Sequence, residues 1–350
     1  MKFASDNWAG AAPEVMQALV AANEGAEPAY GGDPWTRRAA DAFNDVFERE
    51  CAVYFVGTGG AANGLALSCL APPYGSVVCH EAAHVQMDEC AGPEFFTGGA
   101  KLIPVPGAHG KLAPGDVETA LAGYPSRPPH GSPFAALTIT QGTEYGTVYA
   151  PAEIAALTEI ARAHAMKIHM DGARFANAVV AARSTNGAAP ADLTWRAGVD
   201  VLSFGGTKNG CLAAEAVVFF DPAMARDFEF RRKRAGQLFS KSRFLAAQFI
   251  AYFDESLWLR LAARANAAAA RLSEGIGAIE GCRIWAPTEI NEVFASFPAS
   301  VEARLKEAGA EFYPWVTPGD PADGAMRRLI CSWATDDASV DRFLDIASGA

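Results

Sequence analysis

Seven short apolar runs recur between residues 52 and 220, separated by alanine-rich stretches with helical spacing. The runs cover residues 52–56, 76–80, 102–106, 135–140, 167–170, 199–204 and 216–220. The stretch at 151–165 begins with a proline suited to a first helical position and repeats Ile154, Leu157 and Ala161 on one face. Strands that alternate with helices predict an α/β fold, with a mostly parallel seven-stranded sheet and helices on both faces.

The pattern changes after the last of these runs. Residues 223–271 repeat apolar positions at helical spacing without a strand signal, and strands are then predicted at 292–297 and 328–333 around a helix at 300–308. This predicts a smaller C-terminal α+β domain. We therefore expect three parts, an N-terminal segment (1–45), a large domain (46–250) and a small domain (251–350).

Composition excludes several classes of function. The formal net charge is −11, whereas a nucleic-acid surface needs concentrated positive charge. The seven cysteines form no Cys-x-x-Cys pair, which favours a reducing compartment, and we expect no metal site. The first residues lack a signal-peptide pattern, and no apolar run reaches the roughly 18 residues of a membrane span. We therefore expect a cytoplasmic protein without a membrane or nucleic-acid partner.

Lys208 follows the run at 199–204 in the sequence Ser-Phe-Gly-Gly-Thr-Lys-Asn-Gly. Ligands of open α/β sheets bind beyond the carboxyl ends of strands, and flanking glycines permit close approach to the backbone. A lysine in that position is a candidate for Schiff-base chemistry. Taken alone, a solvated turn residue is the more frequent interpretation.

Two further strand ends carry candidate ligand-binding groups. Thr58, Gly59 and Gly60 follow the run at 52–56 and open a helix, so their N–H groups could bind a phosphate, although a plain tight turn fits equally well. His84 lies four residues after His80, which ends the run at 76–80. Either imidazole could stack on a planar ligand or carry a proton, and spacing does not choose between them.

Asp171 ends the run at 167–170 and is followed by Gly-Ala-Arg174. Burial of a carboxylate costs free energy unless a cation pairs with it. A protonated pyridine nitrogen would be such a cation. The alternative is a helix N-cap aspartate with Arg174 on the surface.

The chain carries, in this order, a candidate phosphate-binding turn, a candidate ring-stacking histidine, an aspartate and a lysine. This order resembles that of the pyridoxal-phosphate enzymes of the aspartate aminotransferase fold type. Within them, the chain resembles the low-specificity L-threonine aldolases. The resemblance covers nearly the whole chain and rests on motifs that begin at Ser5, Tyr30, Thr58, Glu81, Asp171, Gly205 and Arg328.

The resemblance implies a role for each matched position. Lys208 would form the Schiff base with pyridoxal 5'-phosphate, Asp171 would pair with the pyridine nitrogen, and His84 would cover the ring face. The phosphate would bind at Thr58, Gly59 and Gly60. The substrate carboxylate would be held by Ser5, Arg174 and Arg328, with Arg174 also near the phenolic oxygen of the cofactor.

Three more positions would reach the site from a neighbouring subunit, namely Tyr30, Arg234 and Arg243. The resemblance therefore implies a homodimer or homotetramer with sites at the subunit interface. The N-terminal segment would contribute to that interface and to the site, and the large domain would bind the cofactor.

The implied reaction cleaves L-threonine, L-allo-threonine or related β-hydroxy-α-amino acids to glycine and an aldehyde. His84 would take the proton of the β-hydroxyl group. One branch of the family has a second histidine where this chain has the sequence from Gln141 to Glu144, and another where it has Trp333. Glu89, Glu144 or a water therefore stays open beside His84, and a β-eliminating lyase or an aminotransferase on the same fold is the alternative function.

Overall fold

A seven-stranded sheet forms the centre of the computed structural model, which describes residues 1–124, 127–315 and 326–349. Its strands are β1 Ala52–Val56, β2 Ser76–His80, β3 Lys101–Val105, β4 Phe134–Thr140, β5 Lys167–Gly172, β6 Val201–Gly205 and β7 Glu215–Phe219. Their order is β1-β7-β6-β5-β4-β2-β3. Only β7 runs antiparallel to its neighbours β1 and β6, so the prediction of a mostly parallel seven-stranded sheet is confirmed.

The strands match the apolar runs to within two residues at each end. Differences of two residues occur at β5, which continues to Gly172, and at β6, where the run begins at Val199 and the strand at Val201. The N–H of Val199 donates to the carbonyl of Thr194, which closes a turn before the strand. The apolar side chain of Val199 is buried all the same, which is why the run looked longer than the strand.

Helices cover both faces of this sheet, as predicted. The helices of the described residues are α1 Pro13–Ala22, α2 Pro34–Phe47, α3 Gly59–Leu70, α4 His84–Met87, α5 Gly92–Thr97, α6 Pro114–Gly123, α7 Pro151–Ala163, α8 Phe175–Asn186, α9 Phe228–Arg234, α10 Arg243–Phe253, α11 Leu257–Gly277, α12 Ala299–Glu307 and α13 Asp337–Ser348. The last two, α12 and α13, pack in the C-terminal core instead. Successive strand residues point to opposite faces. Accordingly Leu202 and Phe204 join the core cluster on one face, and Val201 joins the cluster on the other.

A second, antiparallel sheet lies in the C-terminal part of the chain. Its strands are β8 Arg283–Ile284, β9 Glu292–Ser296, β10 Tyr313–Pro314 and β11 Arg327–Ile330, in the order β10-β11-β9-β8. This confirms the smaller α+β unit. Helix α11 links the two cores, because Leu257 and Trp258 belong to the cluster under the large sheet and Leu272 and Ile276 to the small one. The boundary at residue 251 stays a prediction. Across the three described stretches, no helix is both long and apolar enough to cross a membrane.

Replacing Gly205 with alanine is expected to destabilise the large sheet. A Cβ atom at Gly205 would lie 2.4 Å from the carbonyl oxygen of Ala173, and backbone cannot move aside cheaply. We expect a loss of about 1–3 kcal/mol in the free energy of unfolding, measured in urea. The control is Gly115→Ala in α6, where an added Cβ meets nothing within 4 Å. A Gly205→Ala protein as stable as this control would contradict the packing argument.

Candidate active site

The carboxyl ends of β1, β5 and β6 open into one cavity of about 310 Å³. Eight of the residues singled out in the sequence line it, namely Thr58, Gly59, Gly60, His84, Glu144, Asp171, Arg174 and Lys208. These residues are separated by up to 150 positions in the chain, and the sheet brings them together because its parallel strands end at the same edge.

Thr58 forms the N-cap of α3, and the helix starts at the wall of the cavity. Thr58 has extended backbone angles, and its Oγ1 accepts a hydrogen bond from the N–H of Ala61 at 3.3 Å. The first N–H groups of a helix have no partner within the helix, which favours an anion there. Gly59 leaves open space, since a Cβ atom built on it meets nothing within 4 Å. This turn can therefore hold a phosphate.

Lys208 lies in a single helical turn, Thr207–Asn209, directly after β6. The side-chain amide of Asn209 fixes the turn by donating to Tyr252 Oη at 2.6 Å and to the carbonyl of Trp258 at 2.8 Å. Burial, and then the charge of Arg174, lower the pKa of the Lys208 amine. A lowered pKa increases the neutral, nucleophilic fraction of the amine at a given pH.

Asp171, at the end of β5, is 3 % exposed. Its Oδ1 accepts from the N–H of Ala173 at 3.0 Å, and its Oδ2 accepts from the side-chain amide of Asn63 at 2.9 Å. The N-cap alternative is wrong, because α8 starts at Phe175 and Arg174 occupies the cap position. Within the described residues, Asp171 has no cation within ion-pair distance. The carboxylate is thus buried, oriented and available to a cationic ligand.

The structure separates the two candidate histidines. His80 uses both ring nitrogens on backbone, with Nε2 3.0 Å from the carbonyl of Gly107 and Nδ1 accepting from the N–H of Ala82. His84 lines the cavity and places Nδ1 2.9 Å from Glu89 Oε1. This hydrogen bond to Glu89 raises the pKa of His84. It also favours the tautomer with the proton on Nδ1, which leaves Nε2 as an acceptor.

Glu144 also lines the cavity, beside His84. Its Oε1 accepts from the backbone N–H of His84 at 2.7 Å and from Thr140 Oγ1 at 2.9 Å. Its Oε2 is buried without a hydrogen-bond partner among the described residues. Burial, and then the charge of Asp171, raise the pKa of Glu144 to about 7. Glu144 can therefore hold or release a proton near neutral pH.

Arg174 is held by two carboxylates of this chain. Its Nε and Nη2 donate to the two oxygens of Asp6 at 2.8 and 3.1 Å, and its Nη1 lies 3.3 Å from Glu292 Oε2. Burial lowers the pKa of Arg174, but Asp6 and Glu292 outweigh it and raise the pKa. The predicted contacts of Arg174 with substrate and cofactor therefore have to be made beside these existing ion pairs.

Five predicted residues do not line this cavity, namely Ser5, Tyr30, Arg234, Arg243 and Arg328. Ser5 caps the turn Asp6–Trp8 by accepting from the N–H of Asn7, which does line the cavity. The guanidinium of Arg328 lies 4.0 Å from the ring centre of Trp315.

Of the other three residues, Tyr30 and Arg234 are exposed and Arg243 is half-buried. Tyr30 is 53 % exposed. Arg234 borders a separate hollow formed with α3 and α5. Arg243 donates to the carbonyl of Gly25 at 3.4 Å. Their roles in a neighbouring subunit stay predictions.

Several residues at the site were missed in the sequence, and three of them stand out by their contacts or charge. Asn63 joins Asp171 to Glu89 through its amide, Gln237 accepts from the N–H of Gly57 at 2.9 Å, and Glu215 lines the cavity. Asn63 and Glu215 did leave a signal, because each is a polar residue in an otherwise apolar helix or strand. Gln237 left none, because it lies in a connecting loop.

His169 bonds Ser203, which lines the cavity. Its burial should make the stability of the protein depend on pH. It is fully buried, with Nδ1 2.7 Å from Thr138 Oγ1 and Nε2 2.9 Å from Ser203 Oγ. Burial lowers its pKa to about 4. Below about pH 6.5 the histidine is therefore protonated in the unfolded chain but stays neutral in the folded chain. Its contribution to the free energy of unfolding is present above that pH and is lost as the pH falls.

We expect His169 to account for a loss of on the order of 2 kcal/mol in the free energy of unfolding between about pH 7 and about pH 5. Urea unfolding at both pH values checks this. His169→Gln should lack that increment while keeping the contributions of other groups. Equal losses in the two proteins would show that His169 is not the source.

Comparison with known proteins agrees with this arrangement. A family model described as beta-eliminating lyase matches residues 2–299. The low specificity L-threonine aldolase of a Pseudomonas species is 45 % identical over 97 % of this chain and 94 % of its own length. The low specificity L-threonine aldolase of Pseudomonas aeruginosa is 43 % identical over 99 % of this chain and 96 % of its own length.

Among solved structures, a threonine aldolase from Leishmania major superposes with a TM-score of 0.92 at 27 % identity. The match covers 99 % of this chain and 98 % of that one. Sequence and structure thus agree over nearly the full length. The chain belongs to the beta-eliminating lyase family and, within it, to the low-specificity L-threonine aldolases.

Proposed function

We propose that this protein is a pyridoxal-phosphate-dependent aldolase that cleaves L-threonine, L-allo-threonine or related β-hydroxy-α-amino acids to glycine and an aldehyde. One observation carries the proposal, namely that Lys208, Asp171 and His84 face one cavity at whose wall a helix begins. Relatives at 43–45 % identity bear the name low specificity L-threonine aldolase.

The side chains of the cavity fit this cofactor. Lys208 is an amine with a lowered pKa, as covalent bonding to an aldehyde requires. Asp171 is a buried carboxylate without a cationic partner among the described residues, and a protonated pyridine nitrogen would supply one. The N-terminus of α3 suits a phosphate.

When bound, pyridoxal phosphate would supply an electron sink for cleavage of the bond between the α- and β-carbons. Lys208 would hold the aldehyde carbon of the cofactor, and Asp171 would favour the protonated pyridine nitrogen by its charge. Thr58, Gly59 and Gly60 would hold the phosphate, and His84 would cover the ring face.

His84 is the first candidate to take the proton from the β-hydroxyl group of the substrate. The hydrogen bond between Nδ1 and Glu89 fixes the ring, and Nε2 remains as the acceptor. Glu144 binds the backbone of His84 through Oε1. Its free Oε2 makes it the second candidate.

We also propose a homodimer or homotetramer in the cytoplasm. Tyr30, Arg234 and Arg243 lie outside the cavity of their own chain, where a second subunit could receive them. A second subunit could also cover Phe95, which is 79 % exposed and lines the same hollow as Arg234. The seven cysteines are all free thiols, which supports a reducing location.

Product analysis tests the reaction. Purified protein supplied with pyridoxal phosphate and L-threonine should release acetaldehyde and glycine in equal amounts. Ammonia with a keto acid would instead identify a β-eliminating lyase, and loss of the amino group to an added keto acid would identify an aminotransferase. Either outcome would refute the aldolase while retaining the cofactor.

A further inference from the structure

Glu215 is a buried carboxyl group at the same edge of the sheet as the phosphate-binding turn. It is the first residue of β7, and it pairs with Val56 in β1 and with Gly205 in β6. Opposite residues of antiparallel strands lie about 5 Å apart between Cα atoms. Glu215 therefore stands between the turn that begins at Gly57 and the turn that carries Lys208, and it lines the cavity at 7 % exposure.

The hydrogen bonds of Glu215 connect it to the lysine turn. Its Oε2 accepts from the N–H of Gly206 at 3.3 Å, and the backbone and hydroxyl of Thr207 also bind it. The hydroxyl oxygen of Thr207 accepts in turn from the N–H of Ala214 at 3.1 Å. The carboxyl group is therefore fixed in position, and none of the roles assigned above uses it.

A carboxylate in this position conflicts with a bound phosphate. Both would be anions in one cavity, and solvent screens the buried Glu215 poorly. Two such groups avoid repulsion when one of them takes a proton. A neutral carboxylic acid has the further advantage that its O–H can donate to a phosphate oxygen.

The groups around Glu215 allow its carboxyl group to take up a proton near neutral pH. Burial raises its pKa to about 7, while the hydrogen bond from Thr207 and the charge of Lys208 act in the opposite direction. Cys211 and Tyr252, on the side away from the cavity, also interact with Glu215, and burial raises the pKa of both, which keeps them neutral. Lys208 is thus the charged neighbour that faces Glu215 among the described residues.

We propose that Glu215 is a binding residue for the cofactor phosphate, which it meets as a neutral carboxylic acid that donates a hydrogen bond. Binding of the phosphate then takes up one proton from solvent when Glu215 begins ionised. This inference rests on the proposed function, because it requires pyridoxal phosphate at this cavity.

Proton uptake makes phosphate binding weaken as the pH rises. Where free Glu215 is ionised and bound Glu215 is not, affinity falls by about tenfold for each pH unit. The phosphate has its own second ionisation near pH 6, so measurements above about pH 7 isolate the carboxyl group. Pyridoxal lacks the phosphate but shares the aldehyde, so the ratio of the two affinities cancels the titration of Lys208.

The test is equilibrium dialysis of the full-length protein, stripped of cofactor, against graded pyridoxal phosphate, and separately against pyridoxal, from about pH 7 to about pH 9. In the wild-type protein the ratio of the affinity for pyridoxal phosphate to that for pyridoxal should fall by on the order of tenfold or more over this range. In Glu215→Gln the ratio should stay nearly constant. Glu229→Gln, at an exposed position of α9, is the matched control and should behave as wild type.

A wild-type ratio that stays flat above about pH 7, or one that falls equally in Glu215→Gln, would overturn the inference. If Glu215→Gln fails to fold, the wild-type measurement by itself decides whether the inference holds. Absence of a visible absorption band for bound pyridoxal phosphate in the wild-type protein would refute the proposed function instead, so the two failures are distinguishable.

Discussion

Lys208→Ala is expected to remove the visible absorption band of bound pyridoxal phosphate and to lower aldehyde release from threonine by on the order of 10⁴-fold or more. The reason is covalent, because alanine has no amine to bond the cofactor aldehyde. The amine of Lys208 is prepared for that bond by burial and by Arg174, which lower its pKa. No nearby lysine replaces it, since the other residues that line the cavity include none.

Lys208→Arg is the control for charge. It keeps a positive charge in the cavity and loses the nucleophilic amine, so it should resemble Lys208→Ala in both spectrum and rate. Circular dichroism should show both variants folded, because the turn is held by Asn209. If Lys208→Ala retained the wild-type band and rate, the cofactor assignment would be wrong.

The seven strands were predictable because buried parallel strands are continuous apolar runs. Their order was not. β7 enters between β1 and β6 in the opposite direction, and that pairing joins residues about 160 positions apart in sequence. The place of Glu215 beside Val56 depends on it. A polar residue at the start of an apolar strand marks Glu215 as unusual, but only the sheet order places its carboxyl group at the site.

The strand-end residues were predictable in type but not in contacts. His80 and His84 are equivalent by spacing, and only the bonds of His80 to Gly107 and Ala82 show which of them is structural. Arg174 was expected to face ligands. Asp6 binds it from 168 positions away in the chain, a pairing that depends on the N-terminal segment packing against the small sheet through Phe3.

His84→Asn is expected to lower the rate of aldehyde release by about 10²–10⁴-fold, the range that a positioned base contributes. Asparagine can still donate to Glu89 but has no basic nitrogen. Lys208, Asp171 and α3 are unchanged in this variant, so the visible band of the cofactor should remain. Steady-state rates and spectra of the same preparation measure both effects.

Glu89→Gln tests the same base through its pKa. The hydrogen bond to Glu89 raises the pKa of His84, and an imidazole acts as a base only when it is neutral. Removing that carboxylate should lower the pKa of His84, so the acidic limb of the pH–rate profile should move to lower pH. A profile that does not move would show that His84 is not the titrating base.

Glu144→Gln then distinguishes the two proton carriers. If His84 takes the hydroxyl proton, Glu144→Gln should cost less than His84→Asn, because a glutamine oxygen can still accept from the N–H of His84 and from Thr140 as Glu144 Oε1 does. If Glu144 takes it, Glu144→Gln should cause the larger loss of rate. The substitution removes a carboxyl group that has a pKa of about 7 and an Oε2 without a partner among the described residues. The order of the two losses therefore assigns the base, because both residues line the cavity and each substitution removes one basic group.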